Sequence, residues 1–200
     1  MPRDSGRNNA RSRIAHLAAR LMAEDGIEDY ALAKRKAARQ AGAPESRDLP
    51  GNDEIEAALK LYRDIHQPDT HREQLRELRL AALRAMREMI QFNPHLTGTV
   101  LSGNAGKYAD VNLQLFTDND KAVELFLIDR GISYRATQIR LYAGAELRTV
   151  PVFKISDQGV EIEVAVLSSQ DLRHPLKTSI AGKAMERAKI DAVERLVAET

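Results

Sequence analysis

The sequence has no cysteine and no tryptophan, and aromatic residues make up only 4% of it. Without cysteine, a disulfide scaffold, a zinc–thiolate centre and a cysteine nucleophile are all excluded. So few aromatics leave little from which to build a stacking platform for single-stranded nucleic acid. An excess of one charge is missing too. Thirty basic residues face 29 acidic ones for a net charge of +1, so charge does not announce a nucleic-acid binder. No apolar run approaches the ~20 residues of a membrane helix, and residues 1–13 lack the apolar stretch of a secretory signal. The expectation is a protein with no membrane partner that works in the cytoplasm.

Several catalytic signatures are absent as well. Lys107 follows Gly106, but Leu101 and Tyr108 stand where a phosphate-binding P-loop needs glycine and serine or threonine. No serine sits in a G-x-S-x-G elbow. The five histidines, at 16, 66, 71, 95 and 174, have no metal-ligand spacing. What remains is a balanced composition, 43% hydrophobic and 30% charged, over 200 residues. A chain of that length buries roughly 70% of its unfolded surface.

Hydrophobic periodicity divides the chain near residue 93, into a helical part (1–93) and an α/β part (94–200). Ile14, Leu17, Ala18, Leu21 and Met22 form one helical face, which Gly26 ends. A second helix is expected over about 28–41. A loop rich in proline and glycine comes next, and then a third helix behind Asn52 or Asp53 that turns Ile55, Ala58, Leu59 and Tyr62 inward. Thr70 and Glu73 form a capping-box pattern ahead of a fourth helix. Its stripe, Leu75, Leu78, Ala82, Leu83, Met86, Met89 and Ile90, is open either to the chain's own sheet or to a second copy in a homo-oligomer.

Beyond Pro94 the period drops to two. Val111, Leu113 and Leu115 alternate with Asp110, Asn112 and Gln114, as in a half-buried strand. A helix is expected over about 120–130, then strands over 132–142, 147–155 and 160–167, the last two joined by a Ser156–Gly159 hairpin. A final helix is expected over about 183–198. The order strand–strand–helix–strand–strand–strand–helix predicts an α+β fold, with a mixed or antiparallel sheet covered on one face behind an N-terminal helical layer.

The chemistry concentrates around 100–116. Val100-Leu101-Ser102 reads as a strand that enters a turn at Gly103-Asn104-Ala105-Gly106-Lys107. The next strand opens with Asp110-x-Asn112, whose side chains share one face. Glu161 and Glu163 repeat that geometry. If the two strands are neighbours, their carboxylates converge on one surface. Carboxylates suit Mg²⁺, and backbone N–H groups of a glycine turn suit a phosphate.

Residues 96–166 resemble the polymerase-β-type nucleotidyltransferase superfamily, and the layout is similar to bacterial nucleotidyltransferase-like proteins with a helical N-terminal part. The resemblance implies transfer of a nucleotidyl group from a nucleoside triphosphate with Mg²⁺ as cofactor. It makes Asp110 the first catalytic and metal-binding acid, Glu163 the third acid with Glu161 as its alternate, and Ser102, Gly103, Asn104 and Lys107 the nucleotide-binding turn. Five residues separate Asn104 from Asp110; the alternative frame Leu96-Thr97-Gly98-Thr99 lengthens that spacing to ten. The Gly103-Asn104 frame is preferred because Ala105-Gly106 resembles the residues just after the family's turn.

The second acid of the catalytic pair is here the neutral Asn112, which weakens a two-metal site. A nucleotide-binding fold retained without catalysis therefore stands beside the active enzyme. A third reading makes the α/β half a scaffold and gives the function to basic residues of the helical part, Lys34-Arg35-Lys36 and Arg39 with Arg3, Arg7, Arg11 and Arg13, which would bind RNA or an acidic protein.

Overall fold

The computed structural model describes residues 3–27, 29–42, 49–66, 68–106, 109–178, 182 and 184–200. They form two compact units, which part inside the fourth helix between Glu73 and Gln74, ahead of the boundary at 93 that periodicity suggests.

The helical unit contains α1 (Arg3–Glu24), α2 (Tyr30–Gln40) and α3 (Asn52–His66), and residues 104–106 group with it. Its core is Ile14, Ala18, Ala33, Ala37, Ile55 and Leu59, all at most 2% exposed. The alanines of α2 let that helix lie close to its neighbours. Asp29 caps α2 by accepting hydrogen bonds from the N–H groups of Ala31 and Leu32, at 2.7 and 3.3 Å. The next helix, α4 (Pro68–Glu88), begins two residues before the expected Thr70 cap. Proline suits that first turn, where its missing N–H would have no helical partner.

The sheet unit holds the rest of α4, then β1 (His95–Thr97), α5 (Gly98–Ser102), β2 (Val111–Phe116), α6 (Asp120–Asp129), β3 (Tyr134–Ala143), β4 (Glu146–Asp157), β5 (Val160–Leu167) and α7 (Ile190–Glu199). The strands form one mixed sheet in the order β1-β2-β5-β4-β3, in which only the β2–β5 pair is parallel. The fold is α+β. Among the described residues, no helix is long and apolar enough to cross a membrane.

Two local expectations fail. Val100–Ser102 is helical, not a strand, because glycines in the left-handed region bracket it. Gly98 (φ +76°) turns the chain out of β1, and Gly103 (φ +82°) ends α5 as its C-cap. The last helix starts at Ile190 instead of about 183, because Ala188 is held to Leu96 by two backbone hydrogen bonds of 2.8 and 2.9 Å and so extends the sheet edge.

One face of the sheet carries Val111, Leu113, Leu115, Ile162 and Val164, all at most 1% exposed. A hydrogen bond from Tyr134 to Glu124 (2.7 Å) ties α6 to this side. Arg79 on α4 donates to the carbonyl oxygens of Val100 (3.3 Å) and of Leu196 on α7 (3.1 Å). The α4 stripe is consumed here. Leu75, Leu78, Ala82, Leu83, Met86 and Met89 are buried within the chain, which removes them as a surface for a second copy. Ile90, in the 3-10 turn after the helix, points out at 60% exposure.

The opposite face is divided. Phe116, Leu141, Val150, Val152, Ala165 and Leu167 form a second core with Leu172, Leu176 and Met185. The covering chain is pinned by reciprocal backbone hydrogen bonds between Tyr142 and Lys177 (2.8 and 3.0 Å). Buried Asp171 also anchors it, accepting from Arg148 (2.8 Å) and from the N–H and hydroxyl of Ser168 (3.0 and 2.8 Å). The other half of this face is polar.

Candidate functional site

The polar half is built by strand register. Thr97 pairs with Asn112, Asn112 with Glu163, Glu163 with Lys154 and Lys154 with Arg135, so one continuous row crosses all five strands on the same face. Asp110 lies two residues before Asn112, just outside β2, and therefore on the same side. Glu161 occupies the equivalent place before Glu163 and is exposed.

The structure thus brings Asp110, Asn112, Glu161 and Glu163 to one surface. The Asn112 amide donates to the carbonyl oxygen of Asp110 at 3.2 Å. Burial holds the Asp110 carboxyl above the usual aspartate range. The negative charges of Glu163 and Glu161 push the same way, and the Lys154 ammonium opposes them. Lys154 donates to Glu163 Oε1 across the β4–β5 pair, and both side chains are partly buried, at 33% and 26% exposure. That contact, followed by the charge of Asp110, raises the Lys154 ammonium above its ordinary range.

The glycine beside the acids is Gly98. A Cβ built on Gly98 would lie 3.3 Å from Asn112 Nδ2, so the turn that leaves β1 touches the acid-x-amide pair directly. The expected turn sits elsewhere. Gly103 is the C-cap of α5, with Arg79 and Leu75 as the neighbours a Cβ there would meet, and Ser102 donates weakly to Thr99 O at 3.4 Å. Asn104 groups with the helical unit, and its buried Oδ1 has no hydrogen-bond partner among the described residues. Lys107 lies outside the described residues. The ten-residue frame through Gly98-Thr99 is the one that reaches Asn112. Arg173 and His174, with Ser169 and Gln170, line a separate cavity of about 490 Å³ past the C-terminal end of β5. The four residue steps from Glu163 to Leu167 alone span about 13 Å.

These residues do not fit a pair of divalent cations. The middle position is an amide, Glu163 is engaged by an ammonium, and among the described residues no three His, Cys, Asp or Glu side chains are grouped to hold a metal. Sequence reasoning reaches Thr97 only through the alternative turn frame and misses Lys154 and Arg135. Alternation places Lys154 on a strand, but only the register shows that it faces Glu163.

No protein-family model and no curated protein sequence matches this chain. Solved structures overlap it in part. A cytoplasmic RNA terminal U-transferase does so with a TM-score of 0.36 and 24% identity, over 54% of this chain and 32% of that one. A Cid1 poly(U) polymerase variant bound to MgATP gives 0.35 and 18% over 58% and 38%. A further Cid1 structure, described as an RNA terminal uridylyl transferase, gives 0.36 and 18% over 58% and 36%. The chain spans about a third of the length of these proteins.

Proposed function

We propose that this chain is a nucleotidyltransferase-like domain that binds a nucleoside triphosphate on the polar half of its sheet without performing two-metal transfer. The row Thr97–Asn112–Glu163–Lys154–Arg135, with Gly98 against Asn112, is the observation that supports this reading. As the resemblance implies, a glycine turn precedes a strand, which here opens with acid-x-amide where the family has acid-x-acid, and a third acid lies on the adjacent strand. In this reading Gly98-Thr99 takes the role first given to Gly103-Asn104. Exposed Gly98 lets a phosphate approach the backbone, and the Asn112 amide offers a donor and an acceptor. Mg²⁺ is expected only as the counter-ion that accompanies the nucleotide in solution.

Thermal unfolding with each of the four nucleoside triphosphates at millimolar concentration tests the proposal, with Mg²⁺ in one series and EDTA in the other. A ligand at 100 times its dissociation constant stabilises by about 2.7 kcal/mol, or several degrees. The expected result is a shift that prefers one base and no release of pyrophosphate. Failure of all four nucleotides to move the transition sinks the binding reading; steady Mg²⁺-dependent pyrophosphate release sinks the loss of transfer.

One observation favours a second reading. Arg35, Lys36 and Arg39 are exposed on α2, and none of them takes part in an ion pair among the described residues. This face suits a phosphate backbone. Binding to single-stranded RNA should then weaken with salt by about 0.7 log units per log unit for each phosphate neutralised, and an R35E/K36E variant should flatten that slope.

A further inference from the structure

The polar row contains its own cation. An open carboxylate pair on a sheet face attracts a divalent metal because two like charges in a partly dehydrated setting need a counter-charge. Here Glu163 stands between Asn112 on one side and Lys154 on the other, in direct register with both. Lys154 is bonded to Glu163, and its charge also acts on Asp110. Arg135, next in the row, is exposed and keeps a second positive charge at the edge of the group.

We infer that the Lys154 ammonium serves as a built-in counter-ion for Asp110 and Glu163, and that together with the Asp-to-Asn change implied at position 112 it makes this face independent of divalent metal. Two features of the chain exclude the metal for separate reasons. Asn112 removes one negative charge from the donor set. Lys154 supplies a tethered positive charge that a free ion must displace, and that ion would also have to shed part of its hydration. Both effects are local to the row, so they are reversible by substitution: N112D restores an acid, and K154M removes the tethered charge while keeping a stem of similar length.

The inference builds on the proposed site, but its test uses no nucleotide, so a protein that binds no triphosphate can still pass it. Purified full-length protein is titrated with Mn²⁺ alone, with bound metal read by electron paramagnetic resonance and the melting transition followed in parallel. The native chain should hold no Mn²⁺ at this face up to millimolar concentration, and K154R should behave in the same way. K154M should gain a melting transition that rises with Mn²⁺, and N112D/K154M should bind Mn²⁺ at least tenfold more tightly than the native chain. Should the double variant fail to fold, K154M against K154R decides alone, since both keep Asn112 and differ in the charge. Tight Mn²⁺ binding by the native chain that D110N abolishes overturns the inference. So does a folded K154M that responds to Mn²⁺ no more than K154R does.

Discussion

The row Thr97–Asn112–Glu163–Lys154–Arg135 and the next one, His95–Gln114–Ala165–Val152–Thr137, cross the same five strands on the same face of the sheet. They lie about 7 Å apart, yet one is a charged surface and the other belongs to a covered half. The backbone does not make the difference, since both rows are laddered alike. The covering chain does. Met185 lies 3.8 Å from the Gln114 amide, and Leu172 and Leu176 join the core of that half. Arg187 donates to the carbonyl oxygens of Asp171 and Leu172, at 3.1 Å each, and lies over the Phe116 ring. At β1 the cover extends as far as Thr97, whose hydroxyl donates to Glu186 O at 2.7 Å. Beyond that strand the first row is left to solvent and to its own charges. A sheet face can thus hold a core and a site side by side, divided by one irregular segment.

Substitutions on the two sides of this division should therefore report different things. Leu167 is 4% exposed in the covered half. Its truncation to alanine removes buried methyl groups and leaves a cavity, for an expected loss of about 3 kcal/mol in urea unfolding. A loss below about 1 kcal/mol would show that the covering segment is loosely held. Gly98 lies at the border. Its left-handed backbone (φ +76°) and the 3.3 Å approach of Asn112 Nδ2 to a built Cβ make Gly98→Ala costly on two counts. We expect about 1–2 kcal/mol from the backbone, together with a change in any nucleotide-induced shift, which Leu167→Ala leaves intact. Lys154→Met, in the bare half, should cost less, about 1 kcal/mol, because the ion pair is partly solvated. Added salt should narrow the gap between it and the native chain.

Four of the five strands were legible in the sequence because alternation over β2, β4 and β5 is long enough to fix a period, whereas β1 and the order of strands in the sheet were not. The site was legible only in part. Asp110, Asn112 and Glu163 stand out as polar positions on apolar strands, and a shared face follows from their spacing. Which carboxylate meets which partner depends on the parallel pairing of β2 with β5 and on the antiparallel hairpin beside it. Those registers are set by the turns and the buried face, and no local spacing encodes them. The two glycine frames, Gly103-Asn104 and Gly98-Thr99, are hard to separate for a related reason. Gly98 and Gly103 both break a strand, and the short stretch between them shows no clear period. Only the three-dimensional contact with Asn112 separates a strand-exit glycine from a helix cap.

The finest probe of the division is pH, through His95. This side chain is 5% exposed in the row of the covered half, edge-on to the Phe116 ring at 5.1 Å. Burial pushes its pKa below 6.5, and the positive charges of Arg187 and Lys189 push the same way. The hydrogen bond between Nδ1 and Asn93 O, at 2.9 Å, opposes them. With the folded pKa below the unfolded one, the unfolded chain binds more protons between the two values, so unfolding becomes easier as the pH falls. The contribution of His95 to stability is complete above pH 6.5 and is lost as the pH drops through the folded pKa. In His95→Gln that part of the slope should vanish while the carboxylate-driven slope at lower pH remains. The effect is the smallest of the four, and urea midpoints measured at pH 8 and at pH 5.5 on both proteins would resolve it. If the two proteins lose the same stability between those values, His95 accepts its proton without leaving the covered half, and the segment over it is more open to water than its burial implies.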